Sequence, residues 1–409
     1  MKPSLTNRSG PDCGPLHPHI STYLKRLETQ GYKRPTLRPD ALLLADLDGW
    51  LARKGYRVSD LDEGLLERFL QHHMRRRHSR RQAKRAALGR LLAMLRTDGW
   101  VAPAKLPPPG PTQQLLNAFQ SYLRDERGLA KTTVAAYLTL ARQLLRTTFG
   151  EGSVDLTRLE AASVVSFVQG YARDHGRASA HEAPRALRSF FRFLLHRGYL
   201  TRDLASAVPR VAYWSLARLP KHLPPGGVDQ ALARCSRTTA LDQRNHAIVL
   251  ILARLGLRSC EVADLRLEDL DWEQGLLRVR SPKAGRWTAM PLPAEVGQAL
   301  AVYLEQARPR GACRQVFVRH HAPGGALTPM AIRNVARGAL RRAGFTGVCL
   351  GSHTFRHTLA TDLLRAGASL DEIGELLRHK DARTTALYAK VDLTTLRSLA
   401  RRWPGGGLP

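Results

Sequence analysis

Proline placement sets the first limit on how this chain can fold. Two proline-rich seams interrupt it: 105-KLPPPGP-111, and the run from Pro209 through 219-LPKHLPPGG-227. Proline has no backbone donor and a fixed φ, so neither seam can continue a helix or sit inside a sheet; both read as stiff extended spacers. The 409 residues therefore fall into an N-terminal block (1–105), a middle block (112–208), a linker (209–226) and a C-terminal block (227–409).

The first two blocks carry apolar residues at i, i+3, i+4 spacing and few strand signals, so both are predicted to be all-helical. They also resemble each other. The stretch 23-YLKRLETQGYKRPTL-37 pairs with 122-YLRDERGLAKTTV-134, 59-SDLDEGLLERFLQ-71 with 154-VDLTRLEAASVVSFVQ-169, and 89-GRLLAMLRTDGW-100 with 188-RSFFRFLLHRGY-199. Three matches in one order, at an offset of about 95 to 100 residues, suggest a duplicated unit.

The C-terminal block starts helical over Gly227–Leu257, with the apolar stretch 247-AIVLILARLGL-257. The runs 276-LLRVR-280 and 287-WTAMPL-292 flank 281-SPKAGR-286, whose Pro282 and Gly285 favour a turn, so a hairpin is expected. Ser369-Leu370-Asp371-Glu372 is a capping box that opens a helix with Ile373, Leu376 and Leu377 on its inner face. Gly367 ends the helix before it. The fold class expected is mainly α, with a small β-hairpin or sheet confined to the C-terminal block (α+β).

Composition narrows the function. The longest apolar run, Ala247 to Ala253, is far too short to span a bilayer, so no membrane role is expected. The polar, proline-broken N-terminus lacks the apolar core of a secretory signal. The five cysteines are scattered and none forms a CxxC, which points to reduced thiols in a cytosolic compartment. Lys and Arg number 64 against 34 Asp and Glu, a net charge of +30 that favours a polyanionic partner. The run 74-MRRRHSRRQAKR-85 holds seven of these cations: Arg75, Arg76, Arg77, Arg80, Arg81, Lys84 and Arg85. On a helix they point all round and cannot be core. They form either a solvated face or a phosphate-contacting one. Lys131 and Thr132 in the middle block, and Arg210 and Lys221 in the linker, are further DNA-contact candidates.

The densest chemistry lies in 351-GSHTFRHTLATDLLRAG-367. Ser352 is the expected N-cap, which sets His353 in the first turn and Arg356 on the same face. Both then sit where backbone N–H groups point outward and the helix dipole favours an anion. Arg258 and Glu261 repeat the i, i+3 spacing, so the carboxylate can hold one edge of the guanidinium while the other faces a ligand. Lys283 occupies the hairpin turn, a position suited to a proton donor. His379 follows the helix 371-DEIGELLR-378, and Tyr388 comes nine residues later. His357 reads as structural, off the His353/Arg356 face. His320, His321 and Cys313 lack zinc-ligand spacing. The sequence holds no Walker loop or acidic metal cluster, so no metal and no cofactor are expected.

These motifs, taken in order, resemble the tyrosine recombinases of the phage-integrase type, closest to Xer-like and transposon-borne integrases. The resemblance covers roughly residues 113–395 and rests on 258-RSCE-261, Lys283, 353-HTFR-356 and 377-LLRHKDARTTALY-388, with 219-LPKHL-223 as lead-in. The N-terminal block departs from it, since simple Xer-type members lack such a block.

The resemblance implies roles. Tyr388 would be the nucleophile, forming a 3′-phosphotyrosyl link and freeing a 5′-hydroxyl. Arg258, Arg356 and His379 would bind the non-bridging oxygens. His353 would assist proton transfer at the tyrosine, and Lys283 would protonate the leaving oxygen. Elementary chemistry agrees: negative charge gathers on the phosphate oxygens, arginine offers bidentate donors, and a phenol of pKa about 10 needs cationic surroundings to attack. The family further implies a helical core-binding domain over 112–208 that clamps double-stranded DNA against the catalytic domain. It also implies a homo-tetramer on two DNA sites, with the segment 391-VDLTTLRSLARRW-403 available for exchange. Companion recombinases from the same mobile element are possible partners of the N-terminal block. A cytoplasmic, nucleoid-associated bacterial protein is expected. The rival readings are a type IB topoisomerase-like relaxation of supercoils and a non-catalytic DNA-binding regulator.

Overall fold

The protein, described here as a computed structural model, is defined over residues 14–74, 81–104, 109–150, 154–212, 221–280, 287–346, 350–379 and 381–390. By its contacts the chain groups into two units, Met1–Pro103 with Leu219–Pro409, and Ala104–Arg218.

The first hundred residues form α1 (His17–Thr29), α2 (Arg34–Lys54), α3 (Glu63–Met74) and α4 (Arg81–Thr97), with a 3-10 turn at Val58–Asp60 between α2 and α3. Their apolar stripes meet in one core that includes Leu16, Leu44, Leu47, Leu51, Phe69, Leu88 and Leu95. The middle unit repeats this order: α5 (Pro111–Ser121, extended by a π turn, Tyr122–Glu126), α6 (Lys131–Phe149), α7 (Ala161–Asp174) and α8 (Arg177–His196), with a 3-10 turn at Leu156–Arg158. Its core centres on Phe119, Phe190 and Phe193, the Phe119 ring lying 4.9 Å edge-on to Phe190. Fully burying each such ring contributes roughly 1.5–3 kcal/mol. The ends match as well. Gly99 (φ 78°) and Gly198 (φ 73°) each take the left-handed region after the last helix. The amides of Trp100 and Tyr199 then donate back to Leu95 and Leu194, both at 2.9 Å. This left-handed close satisfies carbonyls that would otherwise be orphaned.

In the C-terminal block the stretch expected to be helical over 227–257 holds two helices, α9 (Gly227–Ala233) and α10 (Ala240–Arg254). The break has a local cause. Thr239 and Asp242 form a capping box, with Thr239 Oγ1 accepting from the Asp242 amide at 3.1 Å, so a new helix starts there. From Ala247 to Ala253 every α10 residue is buried, because other helices surround it. After α11 (Ser259–Asp264) come β1 (Leu270–Asp271), β2 (Leu276–Arg280) and β3 (Trp287–Pro291), an antiparallel sheet in sequence order. The expected hairpin is present, with Leu277 opposite Met290 and Val279 opposite Thr288. Leu277 and Val279 point to the core and Arg278 and Arg280 to solvent, the alternation of a one-sided sheet. The short β1 is an addition too brief for periodicity to reveal. Helices α12 (Ala294–Val302), α13 (Pro329–Arg342), α14 (Ser352–Arg365), α15 (Leu370–Leu376) and α16 (Ala382–Ala389) complete the block.

Gly256 sets the path between α10 and α11. Its φ is +58°, and a Cβ there would lie 2.8 Å from Leu377 Cδ2 and 3.0 Å from Leu359 Cδ2. Backbone conformation and close packing both demand glycine. Gly256→Ala is expected to cost on the order of 2 kcal/mol or more, adding left-handed strain to a steric clash. A lowered urea midpoint, with amide protection in α14 lost first, would show it; an unchanged midpoint would contradict it.

Candidate active site

The site is assembled around Arg356. It lies in the second turn of α14, is 3% exposed, and donates to the carbonyls of Gly256 and Leu377. Those two acceptors come from the loop just before Arg258 and from the residue just before Arg378–His379. One guanidinium thus joins three motifs that are far apart in sequence. Burial lowers its pKa to about 10, with the nearby Arg258 charge adding to the effect, so it stays cationic at neutral pH.

Arg258 is the N-cap residue of α11. Its Nη1 donates to Glu261 Oε1 at 2.9 Å and its amide donates to Glu261 Oε2 at 2.8 Å. Glu261 is fully buried and Arg258 is half-buried, so the carboxylate grips the guanidinium from the protein side and leaves the rest toward solvent. This is the arrangement that the i, i+3 spacing predicts.

Tyr388, near the end of α16, is 1% exposed and packs with Ala360, Ile373 and Leu377. Its hydroxyl is hydrogen-bonded to Nδ1 of His357 at 2.8 Å. Burial pushes the phenol above its usual pKa, against the pull of Arg356 and Arg258. The His379 ring stacks parallel to the tyrosine ring at 6.3 Å, and its Nδ1 lies 2.8 Å from Thr385 Oγ1. The structure therefore brings Arg258, Glu261, His353, Arg356, His379 and Tyr388 into one neighbourhood. Lys283 lies outside the described residues.

Two local readings change. Ser352 does not cap α14: Gly351 holds the cap position, Ser352 is the first helical residue, and its buried Oγ has no partner among the described residues. His357, taken from sequence as structural, is the residue that touches the Tyr388 hydroxyl. The signal was present, because His353 and His357 stand at i, i+4 and share a face, with ring centres 6.3 Å apart. His353 itself is exposed at the first turn.

The candidate DNA contacts divide. Arg75, Arg76, Arg77 and Arg80 lie outside the described residues. Arg81 and Arg85 both pair with Glu67, the second at 2.6 Å, and Lys84 is half-buried on α4. Lys131 and Thr132 are exposed at the start of α6, and Thr132 lines a surface groove with Tyr137 and Tyr171. Arg210 lines a shallow cavity with Arg188 and Arg192. Lys221 is exposed just before Leu223, whose amide donates to Thr358 Oγ1 at 2.9 Å and so anchors that strand of chain to α14.

A buried tyrosine hydroxyl, two fixed guanidiniums and a group of imidazoles thus lie together, the set of groups that phosphoryl transfer through a tyrosine calls for. Comparison with known proteins agrees. Residues 222–394 match the Phage integrase family, and residues 116–198 match the family's N-terminal SAM-like domain. The integrase/recombinase y4rA of Sinorhizobium fredii is 41% identical over 400 residues, 97% of each chain. The tyrosine recombinase XerD of Listeria monocytogenes is 32% identical over 300 residues, 71% of this chain and 98% of its own. Among solved structures, the XerH recombinase bound to its palindromic difH substrate superposes with a TM-score of 0.56 at 18% identity, covering 72% of this chain and 97% of its own. The Tn1549 transposon integrase with transposon right-end DNA gives 0.52 at 17% identity, covering 70% and 98%. The chain belongs to the phage integrase family of tyrosine recombinases. It is a site-specific recombinase, an enzyme that cuts and rejoins strands of double-stranded DNA. No described helix is long and apolar enough to cross a membrane.

The imidazoles make the site acid-sensitive. Desolvation, His353, Arg356 and His222 lower His357 from 6.5 to about 4. Desolvation, Arg356, Arg258, His357 and Arg378 do the same to His379. In this range the unfolded chain binds more protons than the folded one, so stability must fall as pH drops from 6.5 toward 4. His320, lowered to about 4 by desolvation, adds to the slope. The melting temperature is expected to decline across that window, and His357→Gln to flatten the decline; a pH-independent melting temperature would refute the neutral, buried state of these rings.

Proposed function

We propose that Tyr388 attacks a DNA phosphodiester to form a 3′-phosphotyrosyl link and release a 5′-hydroxyl. The observation that carries this is the Tyr388 hydroxyl, held at 2.8 Å by a histidine in the same cluster as Arg258 and Arg356. The bond formed is phenolic oxygen to phosphorus; the bond broken is phosphorus to O5′. Arg258, Arg356 and His379 receive the charge that develops on the non-bridging oxygens. The phenolic proton goes to Nδ1 of neutral His357, its nearest acceptor, with His353 next along the same face. Lys283 supplies the proton to the leaving oxygen. Religation runs the same steps backward, so the bond energy is kept and no nucleotide is hydrolysed.

The biological reaction proposed is integration or transposition of a mobile element in a bacterial cytoplasm, by four copies acting on two DNA sites. The match to y4rA over the full length supports a shared architecture that includes the first block. The middle unit, matching the SAM-like domain, clamps DNA with the catalytic domain. The recurring helix order and glycine closes support reading the N-terminal block as a duplicate of that unit. The copies differ in charge, however. Where α8 carries Arg185, Arg188 and Arg192, the matching positions on α4 are Ala86, Gly89 and Ala93. Any DNA grip by the first block therefore relies on the 75–85 run rather than on the equivalent helix face. Contact with companion recombinases is the second reading, favoured by the engagement of Arg81 and Arg85 with Glu67.

On a nicked suicide substrate, Tyr388→Phe should abolish the covalent adduct and leave DNA binding intact; an adduct formed by that variant would refute the assignment. His357→Gln should slow adduct formation and shift its pH profile. Replacing Arg75, Arg76, Arg77 and Arg80 by Ala should shorten the footprint and reduce the salt slope of binding by about 0.9 per lost phosphate contact. An unchanged footprint and slope, with assembly lost, would favour protein contacts instead.

A further inference from the structure

Arg378 was not marked as a functional residue by its sequence, yet its placement is unusual in two ways. It is the one non-glycine among the described residues with a positive φ, 55°. Left-handed backbone is strained for an L-residue with a side chain, so something must hold it there. Its side chain is also buried, 7% exposed, although it carries a charge.

Its partners explain both. The Arg378 Nη2 donates to Glu261 Oε2 at 3.0 Å, and Nη1 donates to the Leu376 carbonyl at 3.1 Å and approaches Met290 Sδ at 3.3 Å. Glu261 is therefore shared. One oxygen takes Arg258 Nη1, and the other takes the Arg258 amide and Arg378. Burial would push the Glu261 carboxyl up, but the Arg378 charge and the Arg258 donors outweigh it and hold the carboxyl below its usual value.

The electrostatic consequence is simple. A buried carboxylate beside Arg258 alone would form a neutral pair, and the guanidinium would offer a phosphate little net charge. A second buried guanidinium on the same carboxylate leaves the trio with one net positive charge, carried toward solvent by Arg258. We propose that Arg378 is a positioning residue that compensates Glu261, so that Arg258 keeps its full charge for the scissile phosphate; this rests on the strand-transfer reading above. Because Arg378 directly precedes His379, the same ion pair ties the entry of that histidine to α11.

The test uses single-turnover cleavage of the suicide substrate by the full chain. Arg378→Gly suits the left-handed backbone, so the helix end is relieved of strain while the charge is removed. Cleavage is expected to slow about 10- to 100-fold, as when a group that orients a catalytic ligand is lost. Arg378→Lys, which keeps the charge, should retain most of the rate. The decisive variant is the double substitution Glu261→Gln with Arg378→Gly: with no carboxylate to compensate, it should cleave faster than Arg378→Gly alone. A wild-type rate in Arg378→Gly, or a double variant slower than Arg378→Gly, would overturn the proposal. Failure of the unaltered protein to form any adduct would instead overturn the strand-transfer reading beneath it.

Discussion

The Arg356 guanidinium is the joint on which the site depends. A buried cation is tolerated only when its donors are met, and here main-chain carbonyls of Gly256 and Leu377 meet them. Carbonyls cannot be moved by a change of side chain, so the acceptors are as rigid as the loops that carry them. Gly256 must be glycine for its loop to pass Leu359 and Leu377 closely enough to offer that carbonyl. Close packing at Gly256 thus lies directly behind the Arg356 guanidinium.

Around that joint the site divides its charge between groups that stay cationic and groups that stay neutral. Arg258 and Arg378 are held against the buried Glu261 carboxylate and Arg356 against main-chain carbonyls, while burial and neighbouring arginines lower the pKa of His357 and His379. Fixed guanidiniums suit the stabilisation of a phosphate whose charge grows during attack. Neutral imidazoles suit the acceptance of a proton. Burial keeps the tyrosine within this field protonated, against the pull of Arg356 and Arg258.

Much of this was legible in the residues. Arg258 with Glu261, the capping box at Ser369 and the pairing of β2 with β3 are local patterns, and local patterns survive into structure because neighbours in sequence remain neighbours on a helix or in a hairpin. Less visible were features whose partners are remote. His357 was set aside as lying off the His353/Arg356 face, although it stands one turn after His353 and its ring centre lies 6.3 Å from that histidine's. Arg378 gave no sign at all, since its role depends on Glu261, which is 117 residues away. The break between α9 and α10 could have been read from Thr239 and Asp242, a capping box as plain as the one at Ser369.

The sequence by itself determined the helical class, the proline seams, the small sheet and the set of chemical groups, because periodicity, turn residues and side-chain chemistry are properties of short stretches. Only the tertiary structure decided which histidine touches Tyr388, how the buried Glu261 carboxylate is shared, and which carbonyls hold Arg356. Those outcomes depend on distances between segments 21 to 117 residues apart, which are set by the packing of the helices and by no residue's local preference.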